Sequence, residues 1–293
     1  MTVILTGATG FIGKNFTSRA RAAGISVAPL LRAETDSASL PGGLAHDGSV
    51  EQMAKILIAE KATAIVHCAA AFSPTDDPAQ TDALLAANID FPVRLLQAAR
   101  IASVRKWLNI GSLWEHNASG NRDPVNLYAS MKTAFEDILT YTSHAHGISS
   151  ITLKLSDTYG PDDTRPKLIP GLKSLIDTGE TLQMTAATQT VSYCHVYDVC
   201  DAMLLACQML DSNQPGHQMY VVEGDEPMVL RDMIASVLSE LEGRLSVDFD
   251  AVPIHGRKPV VPWIGGPRLP GWSPKISLKE GLIGLLTASN HGK

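Results

Sequence analysis

Three polar side chains in the middle of the chain have the residue types of a proton-transfer site. Tyr128 and Lys132 are four residues apart, so on a helix both side chains project from one face. A phenol, whose unperturbed pKa is near ~10, becomes a better acid when a nearby ammonium group favours the phenolate. Ser112 follows a predicted strand over residues 106–110, and its hydroxyl can donate to a carbonyl or alkoxide. A tyrosine–lysine pair of this kind can pass a proton to or from a substrate oxygen, although the same spacing is common on solvated helices and a serine is common in turns.

The start of the chain has the pattern of a nucleotide-binding turn. The segment Thr6 to Gly13 (Thr-Gly-Ala-Thr-Gly-Phe-Ile-Gly) lies between a predicted strand over residues 3–5 and a helix predicted from residue 14. Glycines at such a junction allow a tight turn and let a diphosphate approach amide N–H groups at the helix N-terminus. Spaced glycines recur by chance, but a preceding strand and a following helix are the context that a dinucleotide site requires. Dinucleotide binding is therefore the leading hypothesis.

The elements that position these residues alternate between strand and helix. Such alternation predicts right-handed crossovers and a parallel sheet with helices on both faces. We therefore predict an α/β fold, a Rossmann-type doubly wound parallel sheet with a smaller C-terminal substrate lobe. The predicted strands cover residues 3–5, 25–31, 64–68, 106–110 and 151–155, and the predicted helices cover residues 50–60, 81–102 and 127–144, with Gly147 as the last helix's C-terminal cap.

The regular alternation ends at Gly160. Prolines follow at 161, 166 and 170 and again between 253 and 274, and proline interrupts both helices and central strands. We predict that residues 1–157, plus about 196–222, form a dinucleotide-binding Rossmann domain, and that residues 158–195 and 223–293 form the substrate-binding lobe.

Composition excludes several classes of function. The 293 residues are 45% hydrophobic and 18% charged, which is ordinary for a globular enzyme. A net charge of −6 without a Lys/Arg run argues against a nucleic-acid partner, and no apolar stretch reaches the ~18–20 residues of a membrane span. The N-terminal apolar segment is short and has no basic leader, so we expect a cytoplasmic protein. The cysteines (68, 194, 200 and 207) lack zinc-type spacing, so we predict reduced thiols and no metal site.

As a set, these motifs resemble the extended short-chain dehydrogenase/reductase family, in its sugar-nucleotide branch of epimerases, dehydratases and reductases. The resemblance covers essentially the whole chain. It implies a nicotinamide cofactor, a nucleotide-sugar substrate and a homodimer. The matching segments beyond those above are His67-Cys-Ala-Ala70, Asn88, Tyr159-Gly160-Pro161, His195-Val-Tyr-Asp198-Val199 and Leu269-Pro-Gly-Trp-Ser-Pro274.

The resemblance also implies which residues contact each ligand. Four of these positions have a plainer alternative: Asp47 as a loop acid, Ala69 and Ala70 as core alanines, and Asn88 as a helix-surface residue. The resemblance further implies that Tyr128 is the acid/base, with Lys132 and Ser112 as its catalytic partners. The family usually has asparagine at position 157, where this chain has aspartate. The implied cofactor contacts are Gly7, Thr9, Gly10, Phe11, Ile12, Gly13, Asp47, Gly48, Cys68, Ala69, Ala70, Asn88, Tyr128, Lys132, Asp157 and Thr158, and the implied substrate contacts are Ala71, Ser112, Trp114, Arg165 and Lys167.

The choice between the two nicotinamide cofactors depends on the end of the second predicted strand. An acidic residue there holds the ribose 2′-OH of NAD, whereas an arginine accommodates the 2′-phosphate of NADP. The first charged residue is Arg32, with no aspartate before it, and we predict NADP. The alternative is NAD, with Arg32 solvated and Glu34 at the ribose.

The residues after Ser112 discriminate among the family's reactions. Leu113 and Trp114 replace the Asp-Glu pair of dehydratases, and tryptophan replaces the cysteine of epimerase-reductases, which disfavours both reactions. We predict 4-keto reduction of a nucleotide-linked deoxyhexose; the alternatives are NAD-dependent 4-epimerisation and, less favoured, a non-catalytic NAD(P)-binding regulator. Val191 stands where many epimerases and dehydratases of the family have Arg-Asp, so the grip on the nucleotide must be different or absent. Trp114 is interpreted as a pocket wall or core residue, and Glu115 and His116 as sugar contacts or loop residues.

Overall fold

The computed structural model describes residues 1–35, 40–73, 77–212, 214–224, 227–241, 245–253 and 261–287. The strands are β1 Thr2–Thr6, β2 Ser26–Arg32, β3 Leu44–His46, β4 Ala64–His67, β5 Lys106–Ser112, β6 Ser149–Leu155, β7 Asp157–Tyr159, β8 Thr181–Gln183, β9 Thr190–Val191, β10 Tyr193–His195, β11 Gly216–Val222, β12 Met228–Val229 and β13 Ser246–Asp248. The α-helices are α1 Phe11–Ala22, α2 Val50–Ala59, α3 Thr81–Leu85, α4 Phe91–Ile101, α5 Leu127–His146, α6 Leu168–Thr178, α7 Val196–Ser212, α8 Leu230–Glu240 and α9 Leu278–Thr287.

Seven strands form one parallel sheet in the order β11-β6-β5-β4-β1-β2-β3. Strands β4 and β6 are buried along their whole length, as expected where helices cover both faces of a parallel sheet. Helices α1 and α7 supply one core, with Phe16 and Met203, and helices α2, α4 and α5 supply the other, with Leu57 and Phe135. The predicted doubly wound α/β fold is confirmed.

The sheet brings the predicted site residues to one edge. Strand β1 lies between β2 and β4: the chain runs from β1 to β2 on one side and later returns to β4 on the other. Open α/β sheets bind ligands at the carboxyl ends of the strands where the order reverses in this way. The glycine turn follows β1 and Ser112 ends β5. The predicted helix over 81–102 is interrupted by a π-helical segment over residues 86–90, which contains the buried Asn88.

The remaining elements pack around a third core, which includes Leu172, Met233 and Leu282 from α6, α8 and α9. Three two-stranded sheets, β7 with β10, β9 with β12 and β8 with β13, accompany them. The boundaries given above for the two domains stay a prediction. Within the described ranges, no helix combines the length and the hydropathy of a membrane span. Each of the four cysteines is free.

Candidate active site

The turn between β1 and α1 is packed so closely that two of its glycines have no room for a side chain. Gly7 has a φ of +71°, and a Cβ there would lie 2.6 Å from the amide nitrogen of Ala69. A Cβ at Gly13 would lie 2.2 Å from the carbonyl oxygen of Gly7. Thr9 and Gly10 are exposed at the N-terminus of α1. This cradle of backbone at a helix N-terminus fits the diphosphate of a dinucleotide.

The loop after β4 is fixed beside this turn. The Ala69 amide donates to Thr6 Oγ1 at 3.2 Å, and Thr6 Oγ1 lies 2.8 Å from His67 Nδ1. Asn88 Nδ2 donates to the Ala71 carbonyl at 2.9 Å. Asn88 is 2% exposed, so its alternative interpretation as a helix-surface residue is wrong. Cys68 and Ala69 are half-buried and Ala70 is exposed.

Two predicted adenosine-side contacts lie at the ends of β2 and β3. The Arg32 side chain is 75% exposed and lies 3.7 Å from Glu34, so its guanidinium is available to an anion. Asp47 Oδ1 accepts from the Ser49 amide at 2.8 Å in the turn before α2, and Gly48 has a φ of +86°. Asp47 is exposed; its contact with adenine stays a prediction.

Replacing Arg32 with alanine is expected to weaken NADPH binding by about tenfold to a hundredfold, because a charged hydrogen bond is worth ~1.5–3 kcal/mol. NADH lacks the 2′-phosphate, so its affinity should stay the same. Fluorescence titration with both cofactors measures this difference, and Glu34→Gln is the matched control because it leaves the guanidinium in place. An equal change in both affinities for Arg32→Ala would refute the assignment of the 2′-phosphate to Arg32.

Ser112 ends β5, and Tyr128 and Lys132 lie on α5, which packs against that strand. Ser112 Oγ accepts from the Trp114 amide at 3.2 Å. Helix α5 begins after Asn126, whose Oδ1 accepts from the Ala129 amide at 3.0 Å. Tyr128 and Lys132 are therefore on consecutive turns of α5.

Aromatic contacts connect Tyr128 through Phe72 to Trp114. The Phe72 ring packs edge-on to Tyr128, with centroids 5.1 Å apart, and lies 5.8 Å from Trp114. Phe72 itself is 46% exposed. The sequence interpretation missed Phe72, and its only signal is an aromatic residue directly after the predicted cofactor loop.

Burial sets the protonation states of the two helix residues. It raises the pKa of Tyr128, and the Glu115 and Asp157 carboxylates raise it further, while the Arg165 guanidinium lowers it. Burial lowers the pKa of Lys132 to about 8 against the opposing charge of Glu115. The phenol is therefore a protonated donor at neutral pH, and Lys132 is mostly cationic. The Arg165 guanidinium also lowers this pKa, which the sequence did not indicate, and the expected lowering of the Tyr128 pKa by Lys132 stays a prediction.

A cavity of about 480 Å³ is lined by Phe72 and Trp114 from these aromatic contacts. Trp114 and His116 line it, so Trp114 belongs to the pocket. Glu115 is 0% exposed and contacts Lys154, so the interpretation of Glu115 as a sugar contact is wrong. The lining also includes Phe72, Asp157, Lys167, Val191, Ser192 and Tyr193.

The cations predicted to meet the substrate are each paired with a carboxylate. Lys167 Nζ lies 3.1 Å from Asp157 Oδ1. Arg165 donates to both Asp163 oxygens at 2.7 Å and to the Thr158 carbonyl at 2.7 Å, and its guanidinium lies 4.3 Å above the Phe11 ring. Arg165 thus packs on the cofactor turn, and Lys167 is the predicted substrate cation that lines the cavity.

A protein-family model for the NAD dependent epimerase/dehydratase family matches residues 3–222. The chain belongs to this family. It is therefore an NAD(P)-dependent oxidoreductase; the glycine turn as its cofactor site stays a prediction. The chain is similar to the CDP-abequose synthase of Salmonella typhimurium, with 26% identity and 97% of each chain covered. It is also similar to the dTDP-4-dehydro-6-deoxy-D-allose reductase of a Streptomyces species, with 26% identity and 84% of each chain covered.

A solved structure of a UDP-glucose-4-epimerase from Stenotrophomonas maltophila, with NAD bound, superposes on this chain with a TM-score of 0.85. The superposition covers 98% of this chain and 97% of that one at 18% identity. At that identity it shows the shared fold alone.

Proposed function

We propose that this family member uses NADPH to reduce the 4-keto group of a nucleotide-linked deoxyhexose. The observation that carries the proposal is that two residues lining the cavity contact Tyr128 and Ser112: the Phe72 ring packs edge-on to the half-buried Tyr128, and the Trp114 amide donates to Ser112 Oγ. Relatives named as CDP-abequose synthase and as dTDP-4-dehydro-6-deoxy-D-allose reductase support the substrate class. The exposed Arg32 supports NADP.

The bound cofactor supplies a hydride to the carbonyl carbon. Ser112 Oγ accepts from the Trp114 amide, which leaves its hydroxyl hydrogen to donate to the carbonyl oxygen. Tyr128 then gives its proton to that oxygen as it gains electrons, and the Lys132 cation stabilises the phenolate that remains. Leu113 and Trp114, the next two residues, carry no acid or base, so the site does not support elimination of water.

The test is turnover of CDP- and dTDP-linked 4-keto-6-deoxyhexoses with NADPH. We expect one NADPH to be oxidised for each 4-hydroxy product formed, seen in nicotinamide absorbance and in the product's NMR spectrum. Inversion of a 4-hydroxy sugar without net absorbance change would instead identify a 4-epimerase. Cofactor binding with no turnover of any such sugar would favour the regulator.

We also propose that the protein acts in the cytoplasm as a homodimer. Four free cysteines are consistent with a reducing compartment. Sedimentation of the purified chain tests the dimer.

A further inference from the structure

A buried ion-pair network lies behind the Ser112 turn. Lys154, on β6, is 0% exposed; its Nζ contacts Glu115 and lies 2.7 Å from Glu136 Oε2. Burial opposes the charge on Glu136, but the neighbouring His217, whose Nε2 lies 3.5 Å from Glu136 Oε1, and the charge of Lys154 outweigh it and lower the pKa of Glu136 to about 2. A buried ion pair contributes little net stability. Stability alone therefore does not explain why this network lies beside Ser112.

Glu115 connects this network to both halves of the active site. Its Oε1 accepts from the Ser112 amide at 2.7 Å, and its Oε2 accepts from Thr133 Oγ1 at 3.3 Å. Thr133 follows Lys132 on α5. The strand end that carries Ser112 and the helix that carries Lys132 are therefore joined through one carboxylate.

The backbone at Gly111 makes room for this arrangement. A Cβ at that position would lie 2.9 Å from Lys154 Cδ and 3.0 Å from Glu115 Oε1, closer than real Cβ contacts. A side chain at residue 111 would therefore displace the pair, and a glycine in the β5 strand admits it.

We propose that Glu115 is a positioning residue which, held by Lys154, fixes the Ser112 turn against α5 and supplies a fixed negative charge behind Lys132 and Tyr128. The inference deepens the proposed function and rests on it, because it takes Tyr128 as the proton donor.

The charges around Lys132 and Tyr128 determine in which direction their pKa values move when Glu115 loses its charge. Burial lowers the pKa of Lys132; Glu115, Cys68 and Glu136 raise it, and Lys154 lowers it. Burial raises the pKa of Tyr128, as do Glu115 and Asp157, while Arg165 lowers it. Glu115 is the one carboxylate in both sets. Removing its charge lowers the pKa of both residues, so activity should be lost at a lower pH on the alkaline side.

The test compares Glu115→Gln with Glu136→Gln. The first keeps an oxygen for the Ser112 amide and removes the charge; the second removes the other carboxylate of Lys154 without touching Ser112. We expect Glu115→Gln to move the alkaline limb of kcat against pH downward by at least ~0.5 pH unit, and Glu136→Gln to move it less. A ¹³C NMR titration of the Lys132 ε-carbon, assigned with Lys132→Arg, should show the same order.

Equal shifts in the two variants, or no shift in either, would overturn the inference. The NMR titration needs no substrate, so a shifted Lys132 midpoint in a protein that turns over no nucleotide sugar would refute the proposed function, while still showing that the Glu115 charge acts on Lys132. If Glu115→Gln fails to fold, Glu115→Asp replaces it: the charge is kept and the reach shortened, so kcat should fall by about tenfold or more with the alkaline limb unmoved. A moved limb in Glu115→Asp would count against the inference.

Discussion

Replacing Tyr128 with phenylalanine is expected to lower kcat by ~10²–10⁴-fold, the usual contribution of a positioned general acid. The phenyl ring keeps the edge-on contact with Phe72, whose centroid is 5.1 Å away, so only the hydroxyl is lost. The NADPH dissociation constant should change little. Steady-state kinetics on the 4-keto sugar and a separate cofactor titration measure the two quantities.

The matched control for Tyr128→Phe is Tyr141→Phe, on the same helix with the ring 67% exposed. We expect it to leave kcat unchanged. Ser112→Ala should give a smaller loss, because it removes one hydrogen bond to the substrate oxygen and keeps the proton donor. Parent-like turnover by Tyr128→Phe would mean that another group supplies the proton.

Replacing Gly13 with alanine is expected to lower both stability and cofactor affinity. The new Cβ would lie 2.2 Å from the Gly7 carbonyl oxygen, so α1 must move away from the turn. Overpacking of this kind costs ~1–3 kcal/mol, and a displaced helix N-terminus weakens diphosphate binding by a similar amount. We expect a lower Tm without ligand and an NADPH affinity about tenfold to a hundredfold weaker.

Gly10→Ala in the same turn separates the two effects. Its Cβ would lie 3.3 Å from the Gly7 oxygen, so the free protein accommodates it with a small shift. If the diphosphate lies over the exposed Gly10, this variant loses NADPH affinity with little change in Tm. An unchanged Tm for Gly13→Ala, measured by calorimetry, would contradict the packing argument.

Local pattern predicted the parts of this site that depend on neighbouring residues. The glycine turn, the pairing of Tyr128 with Lys132 and the cap at Gly147 all follow from short-range geometry. Helix α5 indeed ends at His146 with Gly147 in the left-handed region, at a φ of +65°. The glycine turn likewise has the strand and helix that the interpretation required.

Contacts between distant elements could not be predicted in this way. The Glu115–Lys154–Glu136 network joins a turn, a strand and a helix; its only sequence signal is one lysine inside the otherwise uncharged strand Ser149–Leu155. Strand β11 begins Gly-His-Gln, and its apolar residues are confined to the last four positions; it is not among the strands predicted from the sequence. The pairing of Arg165 with Asp163 depends on loop geometry that spacing does not report.

The place of β11 in the sheet has a consequence for synthesis on the ribosome. Strand β6, buried along its length, pairs with β11 on its outer edge, yet residues 156–215 lie between them in the chain. Until residue 222 has been made, β6 presents an open apolar edge, and such edges recruit other chains. A nascent chain stalled before Gly216 should therefore aggregate or require a chaperone. For the same reason, if residues 156–215 are replaced by the corresponding region of a relative, the new segment must join correctly to β6 at one end and to β11 at the other, because these two strands pair.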